Sequence, residues 1–366
     1  MVKALTALKG PILITGHTGF KGTWLTLLLE KMGLEVAGIS LPAHEDSLFT
    51  RLNRIGKIPE SFIDIREFER TQKKITEYAP SVIFHMAAQP LVLNSYKSPR
   101  ETFDTNVMGT VNVLDACFHT DSVKAVIAIT TDKVYKNTNI NKRFVENNSL
   151  AGKDPYSASK VGSEAAIAAW QQIALVNGGP RVISVRAGNV IGGGDFAEDR
   201  LLPDLIRGFS ANIPVSVRNP NSTRPWQHVL DPLNGYLSAL AHTLECGREA
   251  AFNFGPIEES LTVGEVVKIA ADIWGEKAKT VLDGEVIESK ESLNLQLDSS
   301  LANSVLGWEP TWNQKDAIVS TIQWWKKILL EKEDPLSACQ ADTESLLKNK
   351  SYGQTIILYL YPCNQA

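Results

Sequence analysis

The sequence contains little cysteine, and its few cysteines are far apart. Cys117, Cys246, Cys339 and Cys363 are the four cysteines among 366 residues, and they form neither a CxxC pair nor another metal-ligand spacing. Zinc sites are usually built from closely spaced ligand pairs. We therefore expect reduced thiols, a cytoplasmic location and no metal centre.

Long hydrophobic runs and an excess of one charge are also missing. No apolar run approaches the roughly 18 residues needed to span a membrane, and Lys9 and Gly10 interrupt the N-terminal apolar stretch before it resembles a signal peptide. The 37 basic and 41 acidic residues give a net charge of -4, so no global field attracts nucleic acid or an anionic membrane. We expect neither as a partner, and an anionic ligand must be held by local groups.

The composition is that of an ordinary globular protein, with 43% hydrophobic residues and 25 glycines. In the first half, short apolar runs alternate with amphipathic stretches, a pattern that predicts a parallel sheet covered by helices on both faces. The predicted strands are 12–15, 35–40, 61–65, 82–86, 125–130 and 181–186, and the clearest helices are 20–32, 102–119 and 156–176. The fold class is therefore α/β.

The second half has a different texture. From Ala187 onward, glycine, proline and asparagine mark long loops, which on an α/β scaffold usually carry ligand contacts. The expected division is a first domain over 1–186 that regains 228–255, a smaller C-terminal lobe over 187–227 and 256–330, and an atypical tail over 331–366. Within that tail, the β-prone run Thr355–Tyr361 fits an edge strand, an oligomer contact or a loose end.

A glycine-rich turn follows the first predicted strand. Gly16, Gly19 and Gly22 have the spacing GxxGxxG and lead directly into the first helix. Such a turn lets backbone N–H groups and a helix N-terminus approach a pyrophosphate. A phosphate-binding loop of the Walker A type is excluded, because Lys21 precedes Gly22 and no GK[ST] follows. The turn, including Phe20 and Lys21, therefore predicts dinucleotide binding on a Rossmann-type, doubly wound sheet.

The end of the second strand bears on the choice of dinucleotide. It ends at Ser40, and no arginine follows at once to hold a 2′-phosphate. NAD is therefore preferred over NADP. His17 and Ser40 are possible ribose contacts, although His17 equally fits an ordinary turn residue.

A tyrosine and a lysine stand four residues apart at the start of a predicted helix. At this spacing Tyr156 and Lys160 project from the same helical face. A phenol with a pKa near ~10 is a poor base at neutral pH, but a neighbouring ammonium and a nicotinamide cation favour the phenolate. Tyr156 is therefore a candidate to accept a proton from a substrate hydroxyl as hydride leaves the same carbon. The strand ending at Thr130 and Thr131 provides a hydroxyl nearby.

Five segments together resemble the extended short-chain dehydrogenase/reductase family over roughly residues 10–325. They are Gly16-His-Thr-Gly-Phe-Lys-Gly22, Ile39-Ser-Leu-Pro42 with Ser47-Leu-Phe49, His85-Met-Ala-Ala-Gln-Pro90, Thr130-Thr-Asp-Lys-Val-Tyr135 and Arg224-Pro-Trp-Gln-His-Val229. The resemblance implies an NAD-dependent nucleotide-sugar 4,6-dehydratase, a homodimer or homotetramer, with a nucleotide-sugar-binding C-terminal lobe. It further implies CDP-glucose as substrate, CDP-4-keto-6-deoxyglucose as product, and a place in deoxysugar supply for surface polysaccharide such as O-antigen.

The resemblance also implies roles for the catalytic residues. Tyr156 removes the C4 hydroxyl proton and Thr131 bonds the C4 oxygen, while Asp132 is the acid at the C6 hydroxyl and Lys133 is the base at C5. Related dTDP-glucose dehydratases carry glutamate at the position of Lys133. A lysine base must be substantially neutral, which requires desolvation or a nearby cation such as Lys160. Lys133 as an ion-pair partner therefore stays open.

Further binding residues follow from the same resemblance. The implied cofactor contacts are Asp64, Ile65, Ala87 and Ala88, and the implied substrate contacts are Gln89, Asn189, Arg200, Arg218 and Arg224. Among them, Arg224 matches the family's diphosphate arginine. From the residues alone, the alanines fit packing, and Asn189, Arg200 and Arg218 fit surface or loop-bracing positions.

Two other functions are compatible with parts of the pattern. A nucleotide-sugar 4-epimerase of the same family needs Tyr156 and Lys160 but neither Asp132 nor Lys133. A non-catalytic dinucleotide-binding redox sensor typically lacks the tyrosine and lysine. Because this chain has all four residues, dehydration is the favoured prediction.

Overall fold

The computed structural model describes residues 5, 8–138, 142–217, 219–245, 247, 250–282 and 295–349. The strands are β1 Ile12–Thr15, β2 Val36–Ser40, β3 Glu60–Phe62, β4 Val82–His85, β5 Ala125–Ile129, β6 Arg143–Phe144, β7 Arg181–Ala187, β8 Val190–Ile191, β9 Val215–Val217, β10 Gln227–His228, β11 Ala251–Phe254, β12 Thr280–Leu282 and β13 Gln296–Leu297. The helices are α1 Phe20–Lys31, α2 Leu48–Arg51, α3 Phe68–Tyr78, α4 Val92–Lys97, α5 Pro99–Phe103, α6 Gly109–Phe118, α7 Pro155–Asn177, α8 Leu201–Ala211, α9 Leu230–Glu245, α10 Val263–Trp274, α11 Ser300–Leu306, α12 Gln314–Lys326 and α13 Pro335–Asn349. Two π-helical segments, Asp104–Met108 and Lys327–Glu331, and a 3-10 turn, Asp132–Val134, complete the set.

A seven-stranded sheet forms the centre of the molecule and confirms the predicted α/β class. Its strands run parallel in the order β11-β7-β5-β4-β1-β2-β3. The strand order reverses between β1 and β4, and ligands of doubly wound sheets bind in the crevice outside the carboxyl ends at such a point. The segments that follow β1, β4 and β5 therefore meet at one edge of the sheet.

Both faces of this sheet are buried, because its central strands are almost continuously apolar. Successive side chains alternate between two cores. Ile12 and Ile14 pack with α1, α9 and the C-terminal helices, whereas Leu13 packs with α3, α6 and α7 on the opposite face. The helices thus cover both faces and leave the carboxyl edge open to the loops.

The second half of the chain contributes both to the sheet and to a separate layer. Strand β11 pairs with β7, with Ala251 opposite Ser184, and α9 contacts β5, β7 and β11. The short parallel pairs β8 with β10, β9 with β12, and β6 with β13 lie outside the main sheet. Helices α8, α10 and α12 pack against the first two of these pairs and form a second layer with them.

Helix α13 lies within the predicted C-terminal tail and packs into the main core. Cys339 and Leu346 are completely buried, and Lys31 on α1 lies 3.0 Å from a carboxylate oxygen of Glu344. Cys117 and Cys339 are free thiols. The run 355–361, like Cys246 and Cys363, lies outside the described residues. Among the helices of the described ranges, none has the length and apolarity required to cross a bilayer.

The predicted helix 102–119 is confirmed as helical from 102 to 118, where it continues α5 without a break. The structure replaces its second turn with the π-helical segment Asp104–Met108 between α5 and α6. The reason is the set of bonds made by Asn106. Its side chain accepts from Gln89 N at 2.8 Å and donates to Ser159 Oγ at 2.9 Å, and its carbonyl oxygen accepts from Ser163 Oγ at 2.6 Å. These bonds hold the wider turn in place.

The third strand is shorter than predicted, with residues 63–65 beyond its C-terminal end. The carboxylate of Asp64 accepts a hydrogen bond from Arg66 N at 2.9 Å and closes a local turn. Aspartate side chains compete with strand pairing in this way. The turn leaves Asp64 at the open edge.

Candidate active site

The glycine turn between β1 and α1 leaves no room for a side chain at Gly16 or Gly22. Gly16 has a φ of +80°, and a Cβ atom there would lie 2.8 Å from Ala87 N. A Cβ atom at Gly22 would collide with the Gly16 carbonyl oxygen. Gly19 is the N-cap of α1 and makes no side-chain cap. The bare start of the helix, at the point where the strand order reverses, fits the pyrophosphate of a dinucleotide.

A buried histidine supports this turn from within the sheet. His85 Nδ1 lies 2.8 Å from Thr15 Oγ1, and its Nε2 lies 3.0 Å from Thr110 Oγ1. Burial, with a smaller contribution from Lys160, lowers the pKa of His85 to about 3, so the ring is neutral. Thr15 Oγ1 also accepts from Ala87 N at 3.3 Å. These bonds fix the ends of β1 and β4 relative to each other.

The predicted ribose contacts lie in different surroundings. His17 is completely buried, with Nε2 2.8 Å from Glu60 Oε2 and its ring stacked on Phe62. Ser40 ends β2, and its hydroxyl lies 2.7 Å from Thr18 Oγ1. Of the two, Ser40 is the one at the strand end that borders the crevice, whereas His17 packs below the turn.

Asp64 and Ile65 follow β3 at the same edge. A hydrogen bond from Arg66 at 2.6 Å is the main reason why the pKa of Asp64 is lowered, so the carboxylate stays charged. Ile65 is buried and packs against Gly109 at the start of α6. Because β3 pairs with β2, and β2 pairs with β1, Asp64 and Ile65 lie on the same edge of the sheet as the glycine turn.

The segment after β4 contains Ala87, Ala88 and Gln89, which are half-buried. The backbone of Ala87 lies directly over Gly16, since a Cβ atom at Gly16 would lie 2.9 Å from Ala87 Cα. The side-chain amide of Gln89 donates to Thr102 Oγ1 at 2.9 Å and accepts from Leu91 N at 2.6 Å. Gln89 therefore stabilises its own loop.

Helix α7 places the tyrosine and lysine in the interior. Asp154 and Ser157 form a capping box at its start. Burial raises the pKa of Tyr156 to about 12, and a hydrogen bond with Thr131 acts in the opposite direction. Lys160 Nζ donates to the Ile129 carbonyl oxygen at 3.1 Å, and burial lowers the pKa of Lys160 to about 8.

The segment after β5 joins this pair. Thr131 Oγ1 donates to Asp132 Oδ1 at 3.0 Å and accepts from Lys133 N at 3.3 Å, which caps the 3-10 turn. Asp132 is 2% exposed, and a Cβ atom at Gly188 would lie 2.9 Å from its Oδ2. Lys133 is half-buried. The Tyr156 phenol, the Thr131 hydroxyl and the Asp132 carboxyl group thus meet at the end of β5.

A second tyrosine belongs to this centre and was missed at the sequence level. Lys21 Nζ donates to the Tyr236 hydroxyl at 3.2 Å. Burial, together with the charges of Lys160 and Arg200, lowers the pKa of Lys21 to about 7. Burial raises the pKa of Tyr236, and the charges of Tyr156 and Asp132 raise it further. Tyr236 sits in the apolar pattern of α9, so the sequence alone indicates only a core aromatic.

Of the predicted substrate residues, Gln89 follows β4 of the main sheet, whereas Asn189, Arg200 and Arg224 lie in the second half of the chain, and Arg218 is outside the described residues. Arg200 Nη1 lies 2.9 Å from Asp195 Oδ2, and its charge acts on Tyr156. Asn189 is half-buried and its carbonyl oxygen accepts from Gln227 N at 3.0 Å. Arg224 is buried, and its Nη1 donates to the Thr223 carbonyl oxygen at 2.8 Å. Only Arg200 is placed by these contacts near the tyrosine.

No group of three metal-ligating side chains is found among the described residues. The crevice instead combines the N-terminus of α1, which has no side-chain cap, with the buried phenol of Tyr156. This arrangement is typical of dinucleotide-dependent enzymes of the Rossmann type. Residues 12–255 match the model of the NAD dependent epimerase/dehydratase family. The chain belongs to this family, and its cofactor is NAD.

Two curated relatives within this family show which enzymes the chain is most similar to in sequence. The chain is 43% identical over 324 residues to CDP-glucose 4,6-dehydratase of Salmonella typhimurium, a match that covers 86% of this chain and 90% of that relative. It is 26% identical over 336 residues to a dTDP-glucose 4,6-dehydratase of Xanthomonas campestris, with 86% and 92% covered. The first match is far stronger than the second and spans nearly the whole relative.

Solved structures share the fold. UDP-glucose 4-epimerase of Thermotoga maritima, crystallised with UDP-glucose, aligns with a TM-score of 0.76 at 21% identity, covering 87% of this chain and 99% of that one. The dTDP-glucose 4,6-dehydratase of Streptomyces venezuelae, with NAD bound, aligns with a TM-score of 0.73 at 22% identity, covering 89% and 99%. At these identities the likeness concerns the architecture of the sheet and its helices.

Proposed function

We propose that this protein is an NAD-dependent 4,6-dehydratase that converts CDP-glucose to CDP-4-keto-6-deoxyglucose. The observation that carries the proposal is the contact of Thr131 with both Asp132 and Tyr156. A buried carboxyl group beside the phenol would provide, in its protonated form, an acid for elimination, which a 4-epimerase does not need. The extended similarity to a CDP-glucose 4,6-dehydratase supports the substrate.

The cofactor contacts follow from the crevice. The backbone of Gly16, Gly19 and Gly22 and the start of α1 would hold the pyrophosphate, with Phe20 and Lys21 beside it. Ser40, Asp64, Ile65, Ala87 and Ala88 border the same edge and would line the adenosine and ribose. Bound NAD supplies a reversible hydride acceptor for the substrate carbon.

Tyr156 is the proposed base at the C4 hydroxyl. Because burial opposes the phenolate, Tyr156 needs positive charge nearby when it takes the proton. Lys160 lies one helical turn further along the same face, and the charge of Arg200 already lowers the pKa of Tyr156. Thr131 holds the phenolic oxygen and would also bond the C4 oxygen of the sugar.

Asp132 and Lys133 are the proposed elimination pair. The resulting C4 ketone acidifies the C5 hydrogen, which Lys133 would remove as base. Protonated Asp132 would give its proton to the C6 hydroxyl, which leaves as water as the C5–C6 double bond forms. The hydride taken from C4 would then return to C6, and Lys133 would give its proton back to C5, which yields the 4-keto-6-deoxy product. Both residues follow β5 directly, so one strand end positions the acid and the base on adjacent carbons.

The second layer is the proposed substrate lobe, formed by residues 187–227 and 256–330. Two phosphates require cations and donors, and Arg200, Arg224 and Asn189 from this layer would supply them. Arg200 is already paired with Asp195, so its guanidinium is oriented before substrate binds. Gln89, which stabilises its own loop, would contact the sugar from the sheet side.

We also propose a homodimer or homotetramer in the cytoplasm, where the product feeds deoxysugars into surface polysaccharide such as O-antigen. Phe103 and Met108 are 42% and 48% exposed on neighbouring turns, and adjoining exposed apolar side chains favour an interface between copies. The free thiols of Cys117 and Cys339 agree with a reducing compartment.

The decisive experiment is a substrate panel read by product mass. Purified protein, with and without added NAD, is incubated separately with CDP-glucose, dTDP-glucose, UDP-glucose and GDP-mannose. Loss of one water from CDP-glucose alone is the expected result. Dehydration of another sugar nucleotide would contradict the substrate, and an isomeric product without water loss would identify a 4-epimerase instead.

A further inference from the structure

A buried carboxylate lies one helical turn beyond Lys160. Glu164 is four residues further along α7, so the two side chains project from the same face of the helix. Only 6% of Glu164 is exposed. No step of the proposed reaction uses this charge, and a charge in the interior is costly unless it is fully paired.

The partners of Glu164 come from two strands. Arg186 on β7 donates from Nη2 to Oε2 at 2.7 Å and from Nε to Oε1 at 2.9 Å. Ser184 Oγ donates to Oε1 at 2.7 Å, and Thr130 Oγ1 donates to the same oxygen. Burial alone would raise the pKa of Glu164, but Arg186 and the hydroxyls hold it below its usual value. The group is therefore a carboxylate at neutral pH.

These bonds connect α7, which carries Tyr156 and Lys160, to the end of β5, which Thr131 and Asp132 follow. Thr130 precedes Thr131, and it bonds Glu164 from the end of β5. Lys160 Nζ bonds the carbonyl oxygen of Ile129, one residue earlier on the same strand. Helix α7 and the end of β5 are thus tied together at successive positions, directly behind the tyrosine.

We propose that Glu164 is a positioning residue, which holds Lys160 as an ammonium and fixes the strand end that carries Thr131 and Asp132. It acts on the substrate only through these groups. The inference rests on the proposed function for the reaction, but its electrostatic part concerns the protein alone.

Other charged groups face Lys160 from the elements packed against it. Lys21 on α1 and His85 on β4 both interact with its charge. His85 is neutral, and Lys21 is a second amine that repels the ammonium. Arg186 forms an ion pair with Glu164. Glu164 is the charge that favours the protonated form of Lys160.

The test compares three variants with the wild type. Glu164→Gln keeps the shape and removes the charge. Glu164→Gln leaves the buried Arg186 guanidinium without its carboxylate partner. The double variant Glu164→Gln/Arg186→Met therefore removes both charges, so that no unpaired charge stays buried in the folded protein. Ser184→Ala is the matched control, since it deletes one hydrogen bond to Glu164 and leaves every charge in place.

Two readouts are needed. The Lys160 ammonium is titrated by nitrogen-15 NMR of lysine-labelled protein, assigned with Lys160→Arg and requiring no substrate. The pH profile of kcat/KM is measured with CDP-glucose. In Glu164→Gln we expect the Lys160 titration and the alkaline limb of the profile to move to lower pH by about one to two units. The double variant, which also removes the Arg186 cation, should move both by less than the single variant. Ser184→Ala should move neither.

A uniform loss of activity at all pH values, with an unchanged Lys160 titration, would overturn the proposal and leave Glu164 with a role in folding only. If the wild type dehydrates no sugar nucleotide, the proposed function fails. In that case the lysine titration still decides whether Glu164 holds the ammonium.

Discussion

Lys21 and Tyr236 are 215 residues apart in the chain, yet Lys21 Nζ lies 3.2 Å from the Tyr236 hydroxyl oxygen. The same ammonium lies 5.5 Å from the centre of the tyrosine ring. This contact joins the glycine turn to α9, and it draws the lysine toward the catalytic end of the crevice. The side chain of a residue expected to bind the cofactor is thus held by a residue from the other half of the chain.

Lys21→Met should raise the KM for NAD about tenfold or more, since Lys21 lies in the first turn of α1, beside the glycines proposed to hold the pyrophosphate. Tyr236→Phe should reproduce part of the effect, because it removes the acceptor that orients Lys21. Lys31→Met, near the other end of α1, is the control and should leave the KM unchanged. An unchanged KM for NAD with a reduced kcat would assign Lys21 to the substrate instead.

Tyr156→Phe should abolish the first hydride step, because no other phenol bonds Thr131 at this position in the described structure. Single-turnover mixing with CDP-glucose and stoichiometric NAD should show no rise in reduced-nicotinamide absorbance. The remote change Tyr78→Phe, which alters only a contact with Ser61, should behave as wild type. Rapid reduction of NAD in Tyr156→Phe would rule out the assigned base.

Asp132→Asn should slow elimination about 100- to 10,000-fold, since an amide cannot donate the proton that the C6 hydroxyl needs. Hydride removal from C4 should continue, so NADH should accumulate on the enzyme and be visible by absorbance. Asp272→Asn, at an exposed position paired with Lys268, serves as control. Wild-type turnover by Asp132→Asn would show that another group is the acid.

The kcat/KM of the wild type should fall as the pH rises through about 8. Burial lowers the pKa of Lys160 to about that value, and only the ammonium below it supports the Tyr156 phenolate. Lys160→Arg keeps a positive charge at every accessible pH. In that variant the decrease of kcat/KM near pH 8 should disappear, even if its overall rate is lower. If the decrease persists at the same pH, Lys160 is not the group that causes it.

Leu346→Ala should destabilise the protein by about 2 to 5 kcal/mol, because the side chain is completely buried where α13 packs into the main core. Urea unfolding measures the change. Lys348→Ala, exposed on the same helix, should stay within about 0.5 kcal/mol of wild type. Equal effects of the two substitutions would mean that α13 does not pack as described.

Much of the fold was predictable because its signals are local. The strand 12–15 and the helix after it follow directly from the apolar run and from the bare glycine turn. The glycine spacing likewise predicts a dinucleotide-binding turn at the end of β1, and the tyrosine–lysine spacing predicts two side chains on one face of α7. These features depend on residues close together in the sequence.

The remaining features depend on contacts between distant segments. Tyr236 and Glu164 join the site through partners on other elements, and only Glu164 gives a sequence signal, its spacing from Lys160. The polar tail after Leu330 contains a helix whose apolar positions, such as Leu346, have meaning only beside the core they enter. Spacing alone does not reveal such partners.

The π-helical segment at Asp104–Met108 has a consequence for changes in chain length. Such a turn holds one residue more than a regular α-helical turn, and each residue of an α-helix advances the side chains by about 100°. Deleting Val107 would restore an ordinary helical turn and change the direction of Asn106, which lies inside the widened turn. Asn106 would then leave Gln89 and Ser159, so at this point the number of residues is as essential as their identity.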